Sequence, residues 1–409
     1  MDEAVDFRSA EAIADPYPLL RRLQRDDPVH WNDGLGAWCL TRYADVDRAF
    51  KDPRFSADRV RPVALSRSRA DPETARRLGD CLGLWMVFND PPAHSRLRGL
   101  VSQAFTRRAI EALRPRIAAI VDDLLTAMAG RGRIDLIADF AYPLPAMVIG
   151  DMLGVPRVDI GALKRWSDEL ATFVLAGRLS PDKYERAAAS LAEMLDYFGR
   201  LVEARRRKPG AEIIDRLIAA QREDGRLSAP ELLASCVLLL FAGHETTTHF
   251  IANGMRALAL HPGERGALAG AAADDAALRQ GLNELLRWDG PSIAQLRIAG
   301  EAIELHGRRI GAGERVYLFI AGANRDPEVF ADPERLDIRR ANASRQLAFG
   351  SGIHTCLGAH LARLEGEIAF PTLLRRLGDF ALTEAAEEWS DSLVIRGLHR
   401  LPMTVRPSA

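Results

Sequence analysis

Few of the features that announce a compartment or a polymeric partner are present in this chain. Its 409 residues include only four cysteines, Cys39, Cys81, Cys236 and Cys356. They stand far apart in unlike contexts, which argues against a disulfide framework and fits a reducing compartment, so a cytoplasmic protein without disulfides is expected. The formal net charge is -1, and nothing in that balance calls for nucleic acid or an anionic membrane surface. The start, Met1-Asp2-Glu3-Ala4-Val5-Asp6, is acidic and has neither the basic nor the apolar region of a signal peptide. The longest apolar run, Cys236 to Gly243, is far short of the roughly 20 residues of a membrane span. No membrane anchor is expected. Linkers of low complexity and internal repeats are also missing, which favours one large domain over residues 1–409, taken as a monomer.

What is present centres on Gln346 to Arg363. There, a glycine-rich loop leads to Cys356 and then to an amphipathic helical run. A cysteine just before a helix start sits where unpaired N–H groups and the helix dipole favour negative charge, so its thiolate is stabilised. Gly350, Gly352 and Gly358 remove Cβ atoms on both sides of it, which permits positive φ or close approach to a flat body. A nucleophile would also need a base and an oxyanion site; a glycine-padded thiolate beside Phe349 suits a metal inside a large planar ring. A structural cysteine in a tight turn is the plainer alternative. Covalent c-type haem attachment is excluded, because it needs Cys-x-x-Cys-His.

The spacing Phe349-Gly-x-Gly-x-His354-x-Cys356-x-Gly358, continuing to Leu361-Ala362-Arg363, resembles the haem-ligand signature of the cytochrome P450 family. The resemblance runs from about residue 16 to 406. It implies a mainly α fold with small β-sheets (α+β) and haem b as cofactor. Cys356 would be the axial iron ligand, within a ligand loop at about 346–358, and would push electron density to favour O–O cleavage.

Ser228-Ala229-Pro230-Glu231 is a capping box that opens a long apolar helix, about 229–260, which His261-Pro262-Gly263 stops. In its middle lie Ala242, Gly243, His244, Glu245 and Thr246. A buried carboxyl costs several kcal/mol, on the order given by transfer data, unless it has a purpose. An exposed polar stripe is the alternative. The stretch matches the family's Ala-Gly-x-acid-Thr motif at the dioxygen site, which makes Thr246 and Glu245 the expected catalytic pair for proton supply. Thr246 is expected to bond back to the Ala242 carbonyl and loosen the helix.

At Asp90-Pro91-Pro92, an Asp cap and a first-turn proline predict a helix that carries His94 and Arg98 on one face. By resemblance these two, with Arg297 and His354, bind the haem propionates. Glu284-x-x-Arg287 puts an acid and a guanidinium on one helix face. With Arg335 they resemble the family's buried Glu-Arg-Arg support cluster.

Pocket candidates are Leu84, Trp85, Met86, Val87, Leu170, Phe173, Val174, Leu175, Phe241, Ala242, Ile293, Ala294, Leu393 and Val394. For Trp85 and Phe88, and for the 170–175 stretch, core packing explains the residues about as well. Residues 108 to 227 read as helical throughout, punctuated by Gly130-Arg131-Gly132, Pro143, Pro156, Ser180-Pro181 and Pro209-Gly210. β-like runs stand at Val29–Trp31, Ala37–Leu40, 302–318 and 400–405. The basic run Arg205-Arg206-Arg207-Lys208 closes a helix, where cations complement the dipole.

The implied activity is insertion of one oxygen atom from dioxygen into a hydrophobic small molecule: a terpenoid, steroid, fatty acid or macrolide-like compound. No flavin or nicotinamide domain follows the motif, so ferredoxin and ferredoxin reductase are expected as separate partners, docking near Arg96, Arg340, Arg345 and Arg363. A peroxide-driven relative would have replaced Glu245-Thr246. A catalytically silent haem-binding homologue that activates a partner enzyme would have lost Cys356 or the Glu284/Arg287 pair.

Overall fold

A computed structural model describes residues 5–59, 72–174, 182–224, 227–385 and 387–406. The candidate Leu175 lies outside them. The helices that position the site are, in chain order, α1 (Tyr43–Lys51), α2 (Ala93–Ser102), α3 (Pro143–Leu153), α4 (Ile160–Val174), α5 (Lys183–Arg207), α6 (Ala229–Leu260), α7 (Pro262–Ala271), α8 (Asp275–Asp289) and α9 (Ala359–Leu377). The strands are β1 (Val29–Asn32), β2 (Ala37–Leu40), β3 (Phe55–Ser56), β4 (Arg133–Asp135), β5 (Gln295–Ala299), β6 (Ile303–Leu305), β7 (Arg308–Ile310), β8 (Arg315–Leu318), β9 (Asp379–Leu382) and β10 (Pro402–Arg406). The chain is thus mainly helical with small sheets, as its resemblance implies. Among the described residues no helix is long and apolar enough to cross a membrane.

The chain packs as two compact units, one of Met1–Phe55, Ile110–Leu144 and Thr246–Ala409, the other of Ser56–Ala109 and Pro145–Glu245. Each is described by itself. In the first, a five-stranded sheet has the order β1-β2-β8-β5-β3. Its hairpin pairs Val29 with Leu40, and β8 joins β2 in parallel with Trp38 opposite Val316. One face of this sheet buries Val29, Leu40, Val316 and Leu318 against Val46 and Phe50 of α1 and against Leu347. That core therefore fixes the segment entering the Cys356 loop. A second sheet, β4-β10-β9, falls partly in a stretch read as helical: β4 follows the break at Gly130-Arg131-Gly132 where helix was expected to resume, and a π-helical turn comes next at Ile137–Ala141.

In the second unit, α4 and α5 pack side by side, and the first part of α6 belongs to the same unit. The capping box forms: Glu231 N–H donates to Ser228 Oγ (3.3 Å) and Ser228 N–H to Glu231 Oε2 (2.8 Å). The helix α6 then runs unbroken for 32 residues.

Candidate functional site

The Cys356 loop is held in a shape that most residues resist. Gly350 and Gly352 have φ of +67° and +70°, a region in which a Cβ is strained. The loop closes on itself through Gly350 N–H to the Leu347 carbonyl (2.8 Å) and Cys356 N–H to the Phe349 carbonyl (2.8 Å). Its single 3-10 turn, Gly352–His354, leads to Cys356 just ahead of α9.

Of the four cysteines only Cys356 is exposed. Burial pushes the Cys81 and Cys236 thiols up to about 12, and Cys39 higher still, so these three are inert. The Arg363 guanidinium lies over the Phe349 ring, 4.4 Å from its centre. Burial lowers its pKa, while the Cys356 sulfur and Glu367 pull it back up. The Arg363 guanidinium and the Cys356 sulfur therefore lie within electrostatic reach of one another. A Cβ at position 358 would lie 3.9 Å from Cys356 Sγ. An open thiol on a loop without Cβ atoms at 350, 352 and 358 fits a haem thiolate ligand, since a flat ring can reach the sulfur.

Behind the loop lies a buried ionic cluster that differs from the expected one. Arg287 donates to Glu284 through Nε (2.6 Å) and one terminal nitrogen (2.8 Å). The second arginine on Glu284 is Arg340, at 3.0 Å, and not Arg335. The Arg335 side chain is exposed, and only its carbonyl serves, accepting from Arg287 (3.1 Å) and Arg340 (3.0 Å). The turn at Asp332–Arg335 brings its carbonyls inward and leaves the buried charge to Arg340, which also donates to the Ala331 and Asp332 carbonyls. Buried in this way, Arg340 is not a docking residue.

Asn324 was not found from the sequence. Its carbonyl accepts from Arg287 (2.9 Å), and its side-chain oxygen accepts from Leu347 N–H (2.7 Å), which ties the cluster to the Cys356 loop. Its position before Arg325-Asp326-Pro327, a turn-like stretch, was the only available signal.

Arg297 lies on β5 opposite Val316, buried, donating to the Leu296 carbonyl (3.0 Å). His354 is half-buried. Ile293 and Leu393 pack in a core with Phe7, Tyr17 and Phe319, and Ile293 N–H donates to the Val394 carbonyl (2.8 Å). Ala294 has no exposed surface, so it is core and not pocket lining.

In the second unit, α2 carries buried His94 and half-buried Arg98. Burial lowers the His94 pKa, Arg98 lowers it further, and Asp90 opposes both. Asp90 does not cap α2 as expected; its carboxyl accepts from Ser56 Oγ and Ala57 N–H (2.9 Å), and the helix begins at Ala93. Arg96 is paired with Glu231 (3.4 Å for the longer bond).

Trp85 is 1% exposed, stacked on Phe88 and tilted on Phe241, and Leu170 is fully buried, so these pack as core. Phe241 and Met86 are also buried. Leu84, Val87, Phe173 and Val174 retain surface.

Along α6, Ala242 is exposed and Gly243 half-buried between buried neighbours, which marks an opening on the helix. A Cβ at Gly243 would stand 2.7 Å from Ile149 of α3. His244 Nδ1 is 2.8 Å from the Leu240 carbonyl. Among the described residues Thr246 makes no back-bond to the Ala242 carbonyl, and the helix is not loosened there. Ser235 does back-bond on α6, its hydroxyl donating to the Glu231 carbonyl (2.7 Å).

Known proteins align with this arrangement. The family model described as Cytochrome P450 matches residues 60–265 and 277–387. The chain is 42% identical to the Cytochrome P450 monooxygenase PikC of Streptomyces venezuelae, over 96% of this chain and 92% of that one. It is 40% identical to the Vitamin D(3) 25-hydroxylase of Pseudonocardia autotrophica, over 99% and 97%. The structure of P450BioI in complex with hexadec-9Z-enoic acid ligated Acyl Carrier Protein superposes with a TM-score of 0.88 at 32% identity, covering 97% of this chain and all of that one. The chain belongs to the cytochrome P450 family.

Proposed function

We propose that Cys356 is the axial thiolate of a haem b and that Glu245 and Thr246 supply protons for a monooxygenase acting on a bulky hydrophobic molecule. The observation that carries this is the single exposed thiol, set at the start of α9 on a loop whose glycines 350 and 352 have positive φ. When bound, the haem iron supplies oxygen activation, and its sulfur ligand donates the electron density that favours O–O cleavage.

The chain's own residues do the rest. Thr246 Oγ1 passes a proton at the oxygen-binding face of α6. The Glu245 carboxyl, half-buried on the same helix, reloads it from solvent. His94, Arg98, Arg297 and His354 would hold the two propionates, since buried carboxylates need charge-assisted donors. Leu84, Val87, Phe173 and Val174 present apolar surface that excludes water and orients the substrate.

Relatives named for Vitamin D(3), 6-deoxyerythronolide B and cyclomarin C support a hydrophobic small-molecule substrate that is hydroxylated or epoxidised. Electrons come from a ferredoxin and its reductase in the cytoplasm. The exposed Ile353 and the exposed Arg335, Arg339 and Arg345 lie on the segment leading into the Cys356 loop, a surface suited to an acidic carrier.

Two substitutions test the proton roles. Thr246→Ala and Glu245→Gln should keep the haem spectrum while product formed per electron pair falls at least about tenfold, toward the hundredfold that positioned proton donors contribute. Peroxide should account for the missing electrons. Unchanged coupling in both would remove Glu245 and Thr246 from proton delivery.

A further inference from the structure

Asp168 was not among the residues singled out in the sequence. It lies on α4, and with His244 and Glu245 of α6 it brings an imidazole nitrogen and two carboxylates within 4.8 Å of one another. The His244 ring is oriented by the 2.8 Å approach of Nδ1 to the Leu240 carbonyl. A carbonyl oxygen only accepts, so Nδ1 carries a hydrogen and proton exchange is left to Nε2. That nitrogen is 3.6 Å from Glu245 Oε2. The gap is longer than a hydrogen bond, and a small turn of the carboxyl closes it.

Exposure rises outward through the cluster. The His244 side chain is 2% exposed and Glu245 20%, while Asp168 and Lys164 are each 45% exposed. Lys164, one turn before Asp168, donates to its Oδ2 at 2.7 Å. Burial raises the Asp168 carboxyl above its usual range; Lys164 pulls it down, Glu245 pushes it up and His244 pulls it down. Those are the charges that act on it, from α4 itself and from α6; of α5, packed beside α4, Arg186 is paired with Glu169 and Glu193 accepts from Trp166.

We propose that Asp168 is a positioning residue for proton delivery: held by Lys164, it forms with His244 the outer part of an array that sets the proton loading of Glu245. This rests on the reading of Glu245 as the delivering acid. In the step, the proton on His244 Nε2 passes to the Glu245 carboxylate. Nε2 is then reloaded from the Asp168 carboxyl, which takes its own proton from solvent. The Nδ1 hydrogen stays in place, and no electron moves.

The test uses the holoenzyme in its diamagnetic ferrous carbonyl form, with 13C-labelled aspartate carboxyls followed by NMR as pH is varied. The Asp168 signal is assigned by its loss in Asp168→Asn. Glu245→Gln should lower its titration midpoint and Lys164→Met should raise it, each by about half a pH unit or more, the scale of a neighbouring charge. A midpoint that neither substitution moves overturns the array.

In turnover, Asp168→Asn, which cannot reload Nε2, should lower coupling and shift its pH profile downward, while Lys164→Met should shift the profile upward, because the first removes a negative charge and the second a positive one. A merely structural role would move both the same way or neither, and either result overturns the proposal. If Glu245→Gln leaves coupling unaltered, the reading of Glu245 falls and this inference with it. If Glu245→Gln uncouples while the other two leave the profile in place, only this inference falls.

Discussion

Glu284 is the shared carboxylate of two buried guanidinium groups, those of Arg287 and Arg340. Removing one partner from a buried ionic cluster leaves an uncompensated charge and costs about 3–5 kcal/mol. Glu284→Ala and Arg340→Ala should therefore unfold at markedly lower urea concentration than the native chain. Arg335→Ala, which removes only an exposed side chain, should stay within about 0.5 kcal/mol. Equal effects at 335 and 340 would contradict the assignment. The pair Glu284 and Arg287 was legible because an i, i+3 spacing on a helix fixes a shared face. The choice between Arg335 and Arg340 was not, because both lie in one irregular segment whose path is set by tertiary contacts.

Glu365 makes a second case at this scale. It is fully buried on α9, and among the described residues neither carboxyl oxygen has a hydrogen-bond partner. Burial raises its pKa well above the usual value. With a folded-state pKa above the unfolded one, the destabilising effect is absent below about pH 4.3 and grows as pH rises toward the folded value. Glu365→Gln should thus be more stable than the native chain at pH 8 by about 1 kcal/mol or more, with the difference shrinking as pH falls toward about 4.5. A difference in thermal midpoint that does not vary with pH would contradict a protonated Glu365.

At the scale of elements, the two loop glycines do unequal work. A Cβ at Gly352 would meet the Phe50 carbonyl oxygen at 2.6 Å, whereas at Gly350 it would meet only ring atoms of Phe50 at 3.8 and 3.9 Å. Both positions carry the penalty of positive φ, roughly 1–2 kcal/mol for a residue with a Cβ. Gly350→Ala should cost about that much and keep the haem, whereas Gly352→Ala should displace the loop from α1 and cut the haem retained on purification severalfold. Equal retention in the two would contradict the packing described here.

The elements themselves were unevenly legible. The Ser228 to Glu231 capping box located the start of α6, since its two hydrogen bonds are local. The strand β4 was hidden because three residues, Arg133 to Asp135, show no period of their own and gain strand form only by pairing with β10. The back-bond expected of Thr246 does not form, and the cap expected of Asp90 is lost because that carboxyl is engaged by Ser56 and Ala57.

For the whole molecule, a spacing of glycines, one histidine and one cysteine over ten residues identified the family because each position answers to a local demand: an αL turn, an open approach or a thiolate. The pocket was far less legible. Trp85, Leu170 and Ala294 are apolar in sequence whether they pack or face a ligand, and only their burial assigns them to the core. The central claim is that Cys356 is the axial ligand of a haem in this chain. The carbon-monoxide difference spectrum of the dithionite-reduced protein tests it most directly. A strongly red-shifted Soret band that is lost in Cys356→His is the predicted result, whereas a band typical of histidine- or thiol-ligated haem in the native chain would contradict the account.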